Sequence, residues 1–201
     1  MDRNKGLAEK FYSIIMKKKY VILGCPRSGT GYASMLFKYN NIQVNHEILG
    51  SDGISSWCLF PSLPDSKLYG PSLNEVINEF NMDSIEFIHL HRHPLNVISS
   101  LQTISNTSWN YINKCLNLSP ELDKLTRSIE FWVNWNLSIE NITSNLISIE
   151  DLSTHYKLNI YPNKKYNSRA AQYENFNINQ LKESNSFPKL KKLSKKYGYV
   201  L

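Results

Sequence analysis

The densest chemistry in this chain lies in Leu23-Gly24-Cys25-Pro26-Arg27-Ser28-Gly29-Thr30-Gly31, where three glycines, an arginine and two hydroxyl side chains follow a short apolar run. Glycines in such a turn let successive backbone N–H groups converge, and a helix that begins just after them adds the positive end of its dipole. An anion is the natural occupant of that geometry, which favours a nucleotide phosphate. Candidate ligands in the loop are Pro26, Arg27, Ser28, Gly29, Thr30 and Gly31.

Gly24 and Gly29 have the G-x-x-x-x-G spacing of a P-loop, but Thr30 stands where a Walker motif requires Lys. Ordinary ATP or GTP hydrolysis is therefore disfavoured, and Arg27 supplies positive charge from a different position. A second group of residues is Ile88-His89-Leu90-His91-Arg92-His93-Pro94, continuing to Ser99-Ser100. Arg92 falls at the carboxyl end of an expected strand, with Ser100 in the helix that follows. Ligands of open α/β sheets bind outside such strand ends, so a guanidinium and a hydroxyl converging there could hold a second phosphate. The alternating His89, His91 and His93 carry no obvious partner carboxylate, and no metal is expected. His46-Glu47 follows a candidate second strand and places two potential proton acceptors near the same sheet edge. The basic stretch Lys164-Lys165-Tyr166-Asn167-Ser168-Arg169 and the aromatic residues Trp57, Trp109 and Tyr111 fall in segments that read as irregular, where the aromatics could line a cleft or pack into the core.

The elements that must position these groups follow from hydrophobic period. Leu7–Lys17 has helical spacing, and Tyr20–Leu23 is an apolar, β-branched run that reads as a buried strand. Tyr32–Tyr39 is expected as a helix, Ile42–Val44 as a strand, Ser72–Phe80 as a helix, Ile85–Leu90 as a strand and Pro94–Leu101 as a helix with Pro in its first turn. A long helix is expected over 120–143, with Leu122, Leu125, Ile129, Trp132, Val133, Trp135 and Leu137 on its apolar side, then a strand over Leu146–Ile149 and helices near Ile178–Glu183 and Lys189–Tyr197. Strands alternating with helices imply parallel crossovers and a sheet covered on both faces. The expectation is α/β: three layers, a central parallel sheet flanked by helices, in one domain spanning residues 1–201.

With 201 residues, 41% hydrophobic content and 12% aromatic content, the chain can bury a core, which excludes wholesale disorder and coiled-coil rods. A net charge of +6 suits an anionic ligand or surface, although much of the excess sits in the last forty residues and in Lys17-Lys18-Lys19. Cys25, Cys58 and Cys115 are too few and too scattered for a disulfide framework or a zinc site. Phe11–Met16 is shorter than a signal-peptide core, so a cytoplasmic location without membrane association is expected. Asn106, Asn117, Asn136 and Asn141 begin N-x-[ST] triplets, read here as a consequence of Asn- and Ser-rich composition.

Taken together, the Pro26–Thr30 loop and the Arg92…Ser100 stretch resemble the PAPS-dependent sulfotransferases, in which a P-R-S-G-T loop holds the 5′-phosphosulfate and an R-x-P-x-x-x-x-x-S stretch holds the 3′-phosphate. Ile149-Glu150-Asp151-Leu152 is similar to the family's Y-E-D-L strand end, with Ile in place of Tyr, and Lys195–Tyr199 is similar to its G-Y ending. The resemblance runs from Tyr20 to Tyr199. It implies a P-loop NTPase-like sulfotransferase fold and transfer of a sulfuryl group from 3′-phosphoadenosine 5′-phosphosulfate (PAPS) to a hydroxyl or amine acceptor, with PAP as product. It nominates Arg27 as a catalytic residue and Glu47 as base, by similarity to the protein-tyrosine sulfotransferases, with His46 the alternative used by several small-molecule sulfotransferases. Lys165 and Arg169 become the candidates to close over the 3′-phosphate. No metal and no nucleic acid are called for, the acceptor class is open, and a homodimer is left open. Two other readings fit the loop: a nucleotide-dependent small-molecule kinase, and a non-catalytic nucleotide- or polyanion-binding module.

Overall fold

The computed structural model describes residues 18–119, 121–162 and 175–201. The expected helix over Leu7–Lys17 and the basic stretch with Lys165 and Arg169 lie outside these residues.

Five strands, β1 (Lys19–Gly24), β2 (Val44–His46), β3 (Gly53–Ser56), β4 (Ile85–His91) and β5 (Leu146–Ser148), form one sheet in the order β2-β3-β1-β4-β5. Every pairing is parallel, with Val21 opposite Ile54 on one side and Phe87 on the other. Parallel strands need crossovers, and these bury both faces of the sheet. Successive residues of β1 accordingly serve two cores. Ile22 packs with Ala33, Leu36 and Phe37 of helix α1 (Thr30–Tyr39), with Ile88 and Leu90, and with Leu152 of the short helix after β5. Val21 and Leu23 point the other way, toward Val97, Ile98, Ile112, Trp132, Trp135 and Leu190. The latter come from helices α3 (Pro94–Ser100), α4 (Asn106–Leu116), α5 (Lys124–Glu140) and α8 (Phe187–Lys196); α2 (Leu73–Phe80), α6 (Leu152–His155) and α7 (Ile178–Lys182) complete the described set. Each large apolar side chain so enclosed contributes roughly 1.5–3 kcal/mol. The result is the expected three-layer α/β architecture.

The chain leaves β1 for the far edge at β2, returns to β3, and crosses to the other side of β1 to form β4. That reversal puts a crevice at the carboxyl ends of β1, β3 and β4, where the glycine loop, Ser56 and Arg92 emerge.

Several elements differ from expectation for identifiable reasons. β3 has no counterpart in the sequence reading, because Gly53-Ile54-Ser55-Ser56 holds one large apolar residue; all four are buried, the serines at 0% exposure, through their small size. The second strand is Val44–His46 and not Ile42–Val44, so His46 belongs to the strand itself. Helix α4 falls in a region read as irregular: its polar composition hides the spacing of Trp109 and Ile112, and Ser105 caps it by accepting from Ser108 N–H. The long helix starts at Lys124 because Asp123 accepts from the amides of Leu125 and Thr126, and Leu137 is 43% exposed and does not join its apolar side.

Candidate functional site

Between β1 and α1 the chain makes a tight turn. Ser28 donates to the Cys25 carbonyl from both its amide, at 3.0 Å, and its hydroxyl, at 2.6 Å. The turn closes only with left-handed backbone at Arg27 (φ 72°) and Gly29 (φ 102°). Gly24 cannot be replaced cheaply, because a Cβ there would sit 2.5 Å from Ser28 Oγ and 2.9 Å from the Leu90 carbonyl. Gly29 forms the cap of α1 without any side-chain hydrogen bond, and no acidic residue occupies the helix's first turn. The opening amides of α1 are thus uncompensated by any side chain, and the positive end of its dipole faces the crevice.

The residues expected to hold a second phosphate lie against this loop. Arg92, just past the end of β4, donates from Nη1 to the carbonyl of Arg27 at 3.5 Å. It has no carboxylate partner among the described residues. Arg27 reaches the end of α3, donating from Nε to the Ser100 carbonyl at 3.4 Å and from Nη2 to Thr103 Oγ1. Arg27, Arg92 and Ser100 therefore form one cluster, joined through the Ser100 and Arg27 carbonyls. Thr103 is a member that the sequence reading missed; it lies three residues past Ser100 in a 3-10 turn continuing α3.

On the opposite side of the loop stands the His46-Glu47 pair. His46 Nε2 is 3.4 Å from Thr30 Oγ1 and 3.7 Å from Glu47 Oε1. Burial holds the His46 imidazole below its ordinary pKa and Lys38 adds to that effect, while Glu47 opposes it. His46 is consequently neutral at pH 7 and able to accept a proton. Glu47 sits where the chain turns out of β2; its amide donates to the Ser55 carbonyl at 3.1 Å and its φ is 61°. Among non-glycine residues, left-handed backbone is unremarkable for Asn and unusual for Arg or Glu, so Arg27 and Glu47 are two places where backbone strain coincides with a sequence-nominated residue. Ser55 Oγ donates to the Thr30 carbonyl at 2.8 Å, tying β3 to the first turn of α1.

The three histidines of β4 and its end serve packing. His89 Nε2 donates to Asn136 Oδ1 at 2.9 Å, and burial pushes its pKa down to about 4. His91 is likewise pushed down to about 4 by burial and by His89, and its ring stacks on Tyr197 at 4.8 Å. Its Nδ1 is 3.1 Å from the Tyr199 hydroxyl, which donates to Glu150 at 3.2 Å. A carboxylate does therefore stand behind one of these histidines, through a tyrosine. Among the described residues no three His, Cys, Asp or Glu side chains gather as a metal site.

Of the two places open to the aromatics, cleft or core, the structure gives the core, and it puts two of them on a helix where an irregular segment was expected. Trp109 and Tyr111 are on helix α4 and buried in the core, where Tyr111 donates to the Cys58 carbonyl at 2.5 Å. Trp57, 9% exposed, packs edge-on against Tyr111 and against the half-exposed Tyr69. The thiols are poor nucleophiles: burial raises the pKa of Cys25 and Cys58 strongly and that of Cys115 to about 11. Among the described residues no helix is long and apolar enough to cross a membrane.

Compared with profiles of known protein families, with curated proteins and with solved structures, the chain has no match.

Proposed function

We propose that this protein is a PAPS-dependent sulfotransferase with a P-loop-like first crossover. The observation that carries the reading is the convergence, on one uncapped helix N-terminus, of Arg27, Arg92 and Ser100 from one side and of His46 and Glu47 from the other. A nucleotide bearing anionic groups at both its 5′ and 3′ positions suits two adjacent arginine-centred oxygen sites. A single-phosphate ligand would leave one of them without purpose.

In this reading the amides of Gly29–Gly31 and the Thr30 hydroxyl hold the 5′-phosphosulfate, while Ser28, whose amide and hydroxyl both donate to the Cys25 carbonyl, shapes the turn that presents them. Arg92 and Ser100 hold the 3′-phosphate. The acceptor oxygen or nitrogen attacks sulfur in line. As the new bond forms, the bond from sulfur to the bridging oxygen of the 5′-phosphate breaks, and PAP departs with the electron pair. Arg27 and the loop amides stabilise the charge that develops on that oxygen. Glu47 takes the acceptor's proton, and neutral His46, between Glu47 and Thr30, keeps the carboxylate beside the loop.

Thermal-shift titration tests the assignment. PAP alone should stabilise the fold, by about 2.7 kcal/mol at a hundredfold excess over its dissociation constant. Stabilisation by ATP with Mg²⁺ in place of PAP would instead indicate a kinase, and by heparin alone a polyanion-binding module.

A further inference from the structure

The last residues of the chain fold back onto the strand end that carries Arg92. Tyr197 stacks on His91, at 4.8 Å between ring centroids and 28° between planes, and Tyr199 meets the edge of His93 at 5.1 Å. Arg92 is therefore flanked in sequence by two rings, each packed on a tyrosine of the C-terminal tail. The tail is itself anchored, since the Tyr199 amide donates to the Ser194 carbonyl at 2.9 Å. The Tyr199 hydroxyl then links two strand ends: it lies 3.1 Å from His91 Nδ1 and donates to Glu150 Oε2 at 3.2 Å. Glu150 follows Ile149, whose amide donates to the His91 carbonyl at 2.8 Å and whose side chain would lie 3.0 Å from a Cβ at Gly29. One hydroxyl thus spans β4 and the end of β5 beside the glycine turn.

We propose that Tyr199 is a positioning residue for the second anion site: through His91 and Glu150 it fixes the β4 end so that Arg92 presents its guanidinium to the 3′-phosphate. This rests on the nucleotide reading above. A guanidinium on a long side chain loses rotamer freedom when it binds, and a backbone fixed on both flanks lowers what remains to be ordered. Packing alone would need only the Tyr199 ring. The hydroxyl, by contrast, connects His91 of β4 with Glu150, two residues past β5.

Isothermal titration of PAP and of AMP, which lacks the 3′-phosphate, into wild-type protein, Tyr199→Phe and Glu150→Ala separates the possibilities. Tyr199→Phe keeps the ring and removes the hydroxyl; it should weaken PAP about 2- to 12-fold, the range of one neutral hydrogen bond, and leave AMP unchanged. Glu150→Ala should produce a smaller loss of the same selective kind. Unchanged PAP affinity in both variants, or equal losses for PAP and AMP, would reduce Tyr199 to a packing residue and overturn the inference. Wild-type protein that binds AMP as well as PAP would remove the second anion site, and the nucleotide reading and this inference would fall together.

Discussion

The two sides of the crevice are built differently. On the β4 side, Arg27 donates to the Ser100 carbonyl at the end of α3, Arg92 donates to the Arg27 carbonyl in the loop, and the tail tyrosines brace the strand. On the β2 side, Glu47 leaves a three-residue strand in left-handed backbone, and the chain returns to β3 through Ile48 and Leu49, both exposed. In the proposed reading, the arginine-bearing side braced by regular elements holds the nucleotide and the irregular side takes the acceptor. Affinity for the nucleotide should therefore reside on one side and proton removal on the other.

The sharpest separation is expected at Glu47. Glu47→Gln should lower turnover by about 10²–10⁴ with PAP affinity nearly unchanged, and His46→Ala should be milder. Steady-state rates alongside PAP titration would reveal it, and a reversed order of effects would move the base to His46. In that case the acidic limb of the pH–rate profile would lie below pH 6.5, because His46 must lose its proton to act and its pKa is lowered.

Arg27→Ala should reduce the chemical step by about 10²–10³, the loss of one donor to the developing charge. Single-turnover measurement distinguishes this from weakened binding, and near-normal turnover would remove Arg27 from the mechanism.

The bracing of the β4 side has a cost in acid. His89 and His91 are neutral in the fold down to about pH 4, while in the unfolded chain they take up protons below about pH 6.5. The unfolded state then binds more protons, so stability falls as pH falls, by about 2 kcal/mol per histidine at pH 5. Denaturant titrations at pH 7 and pH 5 should show that loss, and His91→Gln should remove its own share.

The β4 side of the crevice is far more legible in the sequence than the β2 side, and the reason is physical. Tyr20–Leu23 and Ile85–Leu90 are rich in apolar, β-branched and aromatic residues, and the glycine turn carries its own conformational signature, so the sequence alone places Arg27, Arg92 and Ser100 at strand ends or in the helix that follows. Gly53–Ser56 is buried by serines and one isoleucine, a pattern without periodicity, and the wall facing Glu47 was invisible without it. Trp109 and Tyr111 looked available because α4 is polar, yet they are core residues. Thr103 and Tyr199 act across 76 and 108 residues of sequence, on Arg27 and His91, and nothing local announces either contact.

The central claim is that the arginine-rich side reads a nucleotide with anionic groups at both ends. Isothermal titration of PAP and AMP into wild-type and Arg92→Ala protein tests it most directly. Loss of a charge-assisted contact should weaken PAP by about 10- to 150-fold, with Ser100→Ala weaker in the same direction, and leave AMP unaffected. Equal losses for PAP and AMP, or no PAP binding to the wild type, would contradict it.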